Sequence, residues 1–198
     1  MVAPSAAKGR KAVVTAITAS STLQEVALTV AAVLSKHRIR AVLTGGACVS
    51  IYADGLYVSK DADLVIQSVF PGLQRRLDEA LASLGFARDR DRYVHDLTPF
   101  FVEFLPGPLS IGSDLRITPV EVKVGAATAL LLSPTDSCRD RLASFYFWGD
   151  RQALEFAVVI ARRHHVDFRA IRRWSKNEGA LQQYEEFRRE VGPRAREG

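Results

Sequence analysis

Leu43-Thr44-Gly45-Gly46-Ala47 and Ser59-Lys60-Asp61-Ala62-Asp63-Leu64-Val65 decide the reading of this chain, with Asp61 fifteen positions after Gly46. Ala41-Val42-Leu43 is a short apolar run closed by two glycines, which predicts a buried strand turning into a helix over 47–52. Glycines at such a turn let backbone N–H groups approach a phosphate, and the helix that follows favours negative charge at its start. Residues 61–67 predict a second strand: Ala62, Leu64 and Ile66 share one face, and Asp61, Asp63 and Val65 share the other. Two carboxylates on one side of a strand can grip magnesium, which takes oxygen ligands and is held by one or two carboxylates plus substrate phosphates.

The flanking segments support a mixed sheet with helices. Ser21 and Thr22 ahead of Gln24 and Glu25 form a capping-box pattern, and Leu23, Val26, Ala27, Val30 and Val33 then follow at helical spacing as far as Lys36 and His37. Asp54-Gly55 reads as a turn. Pro71-Gly72 opens a helix carrying Leu73, Leu77, Leu81 and Leu84, and Gly85 stops it. Residues 86–96 read as an exposed strand pair, with Asp89 and Asp91 as solvated surface. Residues 100–105 form a strongly apolar strand interrupted by one acid, Glu103, which is costly to desolvate unless something compensates it. A cation shared with Asp61 and Asp63 would do so, completing a two-metal site or leaving Glu103 to activate an attacking hydroxyl. A salt-bridged edge-strand role is the alternative for Glu103. Short strands are expected at 115–117, 120–124 and 129–132. Ser133 then caps a helix with Pro134 at its first position, and the rest of the chain is helical, with breaks at Gly149, Val166-Asp167 and residues 177–179. The expected divisions are a flexible segment over 1–19, an α/β core over 20–132 and a helical region over 133–198.

Composition narrows the class. Of the 198 residues, 47% are hydrophobic and 25% charged, the balance of an ordinary globular protein. No apolar run is long enough for a transmembrane helix, and no secretory signal is evident near Lys8, Arg10 and Lys11. Cys48 and Cys138 cannot build a disulfide framework or a zinc site, so a cytoplasmic location is expected. The net charge of +5 is uneven: the first 11 residues carry +3, residues 12–138 carry 11 basic and 13 acidic side chains (−2), and residues 139–198 carry 13 and 9 (+4). The basic surplus at the ends is either a solvated face or a docking surface for RNA or an acidic partner.

The order Leu43-Thr44-Gly45-Gly46-Ala47, Ser59-Lys60-Asp61-Ala62-Asp63-Leu64-Val65 and Val102-Glu103-Phe104 resembles the nucleotidyltransferase-fold superfamily, in its small bacterial branch of minimal nucleotidyltransferases and abortive-infection, toxin-like enzymes. The resemblance implies an α+β fold, a small mixed sheet flanked by helices with a C-terminal helical segment. It also implies transfer of a nucleoside monophosphate from a nucleoside triphosphate to a hydroxyl of a protein, RNA or small molecule. By it, Asp61, Asp63 and Glu103 are the catalytic and Mg2+-binding acids, and Gly45 and Gly46 hold the triphosphate. Relatives often carry an arginine shortly before the acid pair, where this chain has Lys60. Toxin-type relatives carry a basic residue in a later helix and a basic–acidic pair opening the next; Arg141 and Asp150 look like those positions, and the resemblance implies that they and Lys60 help to bind the nucleotide. The other reading of Arg139, Asp140 and Arg141 is ion pairing within or between helices. Phe145, Tyr146 and Trp148 are expected in the core, Cys48 in packing, and His164-His165 at a helix end. His95 is a remote candidate beside Glu103. The alternative function is a non-catalytic module of the same fold, one partner protein of a toxin–antitoxin or defence pair.

Overall fold

The computed structural model describes residues 16–53, 55 and 59–192. The expected flexible start therefore falls mostly outside the described residues, as does Asp54 of the expected turn. Helix α1 (Leu23–Lys36) begins with a complete capping box: the Glu25 amide donates to the Thr22 hydroxyl at 3.3 Å, and the Thr22 amide donates to the Glu25 carboxylate at 2.9 Å. Strand β1 (Ala41–Leu43) follows, then α2 (Gly45–Tyr52), β2 (Asp61–Ile66) and α3 (Leu73–Ala82). Strands β3 (Ala87–Asp89), β4 (Arg92–His95) and β5 (Thr98–Pro106) form a meander, and β6 (Val120–Val124) and β7 (Ala127–Leu131) form a hairpin.

All seven strands join one sheet in the order β3-β4-β5-β2-β1-β7-β6. At its centre β2 runs antiparallel to β1 and parallel to β5, while β1 runs parallel to β7. The expected exposed strand pair is thus an extension of the main sheet through β4 and β5. The segment expected as a strand at 115–117 forms none. The amide of Arg116 donates to the Asp114 carboxylate at 2.9 Å, a local turn that diverts the donor a strand would need.

Ser133 caps α4 (Pro134–Trp148) by accepting from the Asp136 amide, with Pro134 in the first turn as its fixed φ favours. Then come α5 (Arg151–Arg163), α6 (Phe168–Asn177) and α7 (Leu181–Val191), broken where Gly149, Asp167 and Gly179 predict. Asp150 and Asp167 each cap the following helix through a side-chain oxygen. Buried side chains of sheet and C-terminal helices form one continuous core. Helix α2 bridges them: the Tyr52 hydroxyl donates to the Leu132 carbonyl at 2.6 Å, and His164 Nε2 lies 2.7 Å from the Tyr52 carbonyl. Phe145 is buried and Tyr146 half-buried as expected, but Trp148 is 79% exposed, standing at the last residue of α4 where Gly149 turns the chain away. Among the described residues no helix is long and apolar enough to cross a membrane.

Candidate active site

The pleat of β2 brings Asp61 and Asp63 out on one face, with Ala62 and Leu64 buried on the other. The β2–β5 register sets Asp63 directly opposite Glu103 and Asp61 opposite Phe101. Neighbouring strands lie about 4.8 Å apart, so the three acids emerge from adjacent positions on a common face. The register sets the two expected segments side by side, but among the described residues Glu103 does not join Asp61 and Asp63 in a three-acid group able to hold a metal ion.

Gly45 closes the site from the other side. The Thr44 amide donates to the Asp63 carbonyl at 2.9 Å and its hydroxyl reaches the same oxygen at 3.4 Å, pinning the start of α2 to β2. Thr44 occupies the N-cap, yet no side chain caps α2. Its first-turn amides lack intrahelical acceptors, so this end of the helix suits an anion. Gly45 has φ +58°, a left-handed conformation that side chains resist, and a Cβ there would run into the Asp63 carboxylate, with Cγ 3.3 Å away. Gly46 lies inside the helix and is buried. The helix thus begins at the glycines themselves, two residues earlier than the expected start.

Electrostatics mark Asp63 as the unusual member. Burial, then the charges of Asp61, Glu103 and Asp140, raise its pKa to about 6, and only the Arg141 guanidinium acts in the opposite sense among the causes. Arg141 and Asp140 are paired at 2.6 Å, as the ion-pair reading expects, and the Arg141 guanidinium also lowers the pKa of Asp63. Asp61 accepts a hydrogen bond from the Ser59 hydroxyl. Lys60 is exposed, and its carbonyl accepts from the Phe101 amide at 2.9 Å, locking β2 to β5 beside the site. Asp150 caps α5 through the Ala153 amide at 3.0 Å, beyond the break at Gly149 that ends the helix carrying Arg141.

Several neighbours escaped the sequence reading. Arg92 lies opposite Glu103 in the β4–β5 register, and its guanidinium sits 4.9 Å from the centre of the Phe101 ring. Nothing in the spacing of 86–96 specified that register, so only the Glu103 strand could be placed in advance. Asp140 counted as an ion-pair residue alone. His95 is structural: Nδ1 accepts from the Leu97 amide at 3.0 Å, leaving Nε2 to donate to the Leu84 carbonyl at 3.1 Å. Cys48 is packing, its thiol donating to the Leu43 carbonyl at 3.0 Å and pushed up in pKa by burial.

For a metal, the donor set is a pair rather than a cage. Among the described residues no three His, Cys, Asp or Glu side chains are grouped closely enough to hold an ion unaided. Asp61 and Asp63 fit magnesium in its common form, where two carboxylates are completed by water and substrate phosphates. The raised pKa of Asp63 comes first from burial and then from the neighbouring carboxylates, and a cation at the pair would offset both.

No family model and no curated protein matches the chain. Among solved structures it is similar to an antigenic nucleotidyltransferase-like protein from Paracoccidioides brasiliensis, with 17% identity, a TM-score of 0.58, and coverage of 86% of this chain and 95% of that one. The sheet order, the glycine turn into α2 and this likeness lead to one conclusion about architecture: the chain has a nucleotidyltransferase-like fold.

Proposed function

We propose that the chain is a magnesium-dependent nucleotidyltransferase. An acceptor hydroxyl attacks the α-phosphorus of a nucleoside triphosphate; the new O–P bond forms as the bond to the β-phosphate bridging oxygen breaks, and pyrophosphate departs with the electron pair. The observation that carries this reading is the register of Glu103 beside Asp63, with the Asp63 carboxylate against Gly45 at the uncapped start of α2.

Each residue has a distinct task. Asp61 and Asp63 would hold magnesium, which when bound would supply positive charge to the reacting phosphate. The α2 amides, with Gly45 and Gly46 allowing close approach, receive the triphosphate. Arg141 adds a planar cation suited to phosphate oxygens. Glu103 takes the proton of the acceptor hydroxyl, a role that fits an acid in register with the metal-binding pair but outside a closed ligand cage. Protein, RNA and small-molecule hydroxyls all satisfy this chemistry as acceptors.

Calorimetry with a non-hydrolysable triphosphate and Mg2+ tests the assignment. Asp61→Asn/Asp63→Asn should abolish magnesium-dependent binding, whereas Glu103→Gln should keep binding and lose transfer of label from an α-labelled triphosphate to cell extract. Full binding by the double variant would reject the site.

A further inference from the structure

The basic surplus of the C-terminal region divides sharply by use. Arg162 donates to the Val191 and Glu190 carbonyls at the end of α7, and Arg163 donates to the Ala53 carbonyl. Arg151 pairs with Glu186 and Glu190, and Arg188 lies over the Phe168 ring. These cations hold the fold together. Helix α6 differs: Phe168, Ile171, Trp174 and Ser175 are buried, while Arg169, Arg172, Arg173 and Lys176 are exposed. Among the described residues none of these four makes an ion pair. The acids that bracket the helix are engaged elsewhere: Asp167 accepts from the Ala170 amide at 2.8 Å, and Glu178 accepts from the Ser113 amide and hydroxyl at 2.9 and 2.7 Å.

The flank of this face is a cleft of about 360 Å³ lined by Arg116, Arg139, Arg173, Trp174 and Asn177, with Asp114 among them. Arg139 is 8% exposed, and its two terminal nitrogens are held by Asp136 and Asp114, while its buried Nε–H meets no acceptor among the described residues. The rim of the cleft carries two exposed guanidiniums, Arg173 and Arg116, the latter also paired with Asp114 at 3.3 Å.

We infer that α6 and this cleft form a docking surface for the sugar–phosphate backbone of a nucleic acid, with one phosphate seated between Arg116 and Arg173. Charge complementarity selects the partner. The four cations span about 10 Å along the helix, about three nucleotides at a rise of 3.4 Å. Three of the four are arginines, whose planar fork matches phosphate oxygens. The outward face carries no apolar side chain, which removes the wedge a membrane-surface helix inserts and the aromatic anchors a protein interface uses. Contacts of this kind position a strand without reading sequence, so binding is sequence-tolerant. The surface lies apart from the carboxylates: Arg139 and Arg141, 200° apart around α4, serve the cleft and the acids separately.

Fluorescence anisotropy of a labelled 20-nucleotide oligouridylate, titrated with salt, tests the inference. Wild type should bind at low salt and weaken steeply as salt rises. Arg172→Gln/Arg173→Gln/Lys176→Gln, all exposed positions, should weaken binding about tenfold or more and reduce the salt slope by about 2, near 0.7 for each phosphate that is no longer neutralised. Removing equal charge elsewhere, as Arg38→Gln/Arg75→Gln/Arg76→Gln, should leave both values close to wild type. Asp61→Asn/Asp63→Asn should also bind the strand normally, which separates this surface from the nucleotide site. No binding at low salt, an α6 variant that binds as wild type, or equal loss in the two triple variants would overturn the inference.

Discussion

Asp63 is where sequence, burial and chemistry meet in one side chain. Its place on the sheet face follows from strand alternation, and its pKa of about 6 follows from burial beside Asp61, Glu103 and Asp140. An acid with a folded pKa above its unfolded value binds more protons folded than unfolded between the two. Without metal, stability therefore falls as pH rises from near 4 to near 6, and the full penalty, on the order of 2 kcal/mol, stands above that window. Asp63→Asn removes the penalty. Thermal melts in EDTA should show this variant more stable than wild type by roughly 5 °C at pH 7.5, with the gain shrinking as pH drops toward 5. A constant difference across that range refutes the electrostatic account. Asp61 and Asp63 were legible because alternation alone puts i and i+2 together, and Glu103 because an acid inside an apolar run demands compensation. Arg92 was not legible, since its neighbour across the strand depends on a register that loop length and turn geometry set.

Among the elements, the turn from β1 into α2 carries the most information per residue. Gly45 needs its left-handed φ to swing the chain from strand to helix, and it leaves the space the Asp63 carboxylate occupies. Gly45→Ala should cost about 1–3 kcal/mol in urea unfolding, from the backbone conformation and from the displaced carboxylate together. The two contributions separate in a double-mutant cycle: with Asp63→Ala already present, Gly45→Ala should cost only the backbone part, about 1 kcal/mol. Strict additivity would mean that the close approach is unimportant. Caps and breaks elsewhere were readable for the same local reason; Thr22, Ser133 and Gly149 act through hydrogen bonds or φ values within a few residues. The segment at 115–117 was misread because its apolar spacing suits a strand, whereas the Asp114 carboxylate captures the Arg116 amide and Arg139 anchors the turn from 25 residues away. Trp148 was misread because helical spacing marks a buried stripe but cannot say where the covering helix ends.

At the scale of the molecule, α4 must be fixed against both the sheet and the last helices if Arg141 is to stay beside the acids. Arg139 makes that connection. Its guanidinium bonds Asp136 in the first turn of α4 at 2.9 Å and Asp114 in the segment after β5 at 2.7 Å, and it lies 5.1 Å from the centre of the Trp174 ring of α6. The Arg116 amide and then Arg139 hold the Asp114 carboxyl down to about 2. That contribution is complete above about pH 4 and fades only as pH falls toward 2. Arg139→Met keeps the bulk over Trp174 but leaves Asp136 without its ion pair and Asp114 with only the exposed Arg116, so it should cost about 3 kcal/mol at pH 7 in urea unfolding. Arg139→Lys should recover little, because one ammonium cannot reproduce two divergent bonds and a flat contact with the indole. Limited trypsin digestion supplies a second readout: release of Asp114 should speed cleavage after Arg116 in the Met variant while sites within α3 stay protected. If Arg139→Met unfolds at the wild-type urea midpoint and is cut no faster, the ion pairs are ornaments of a joint that apolar packing already secures, and the position of Arg141 must then rest on α2 and the shared core alone.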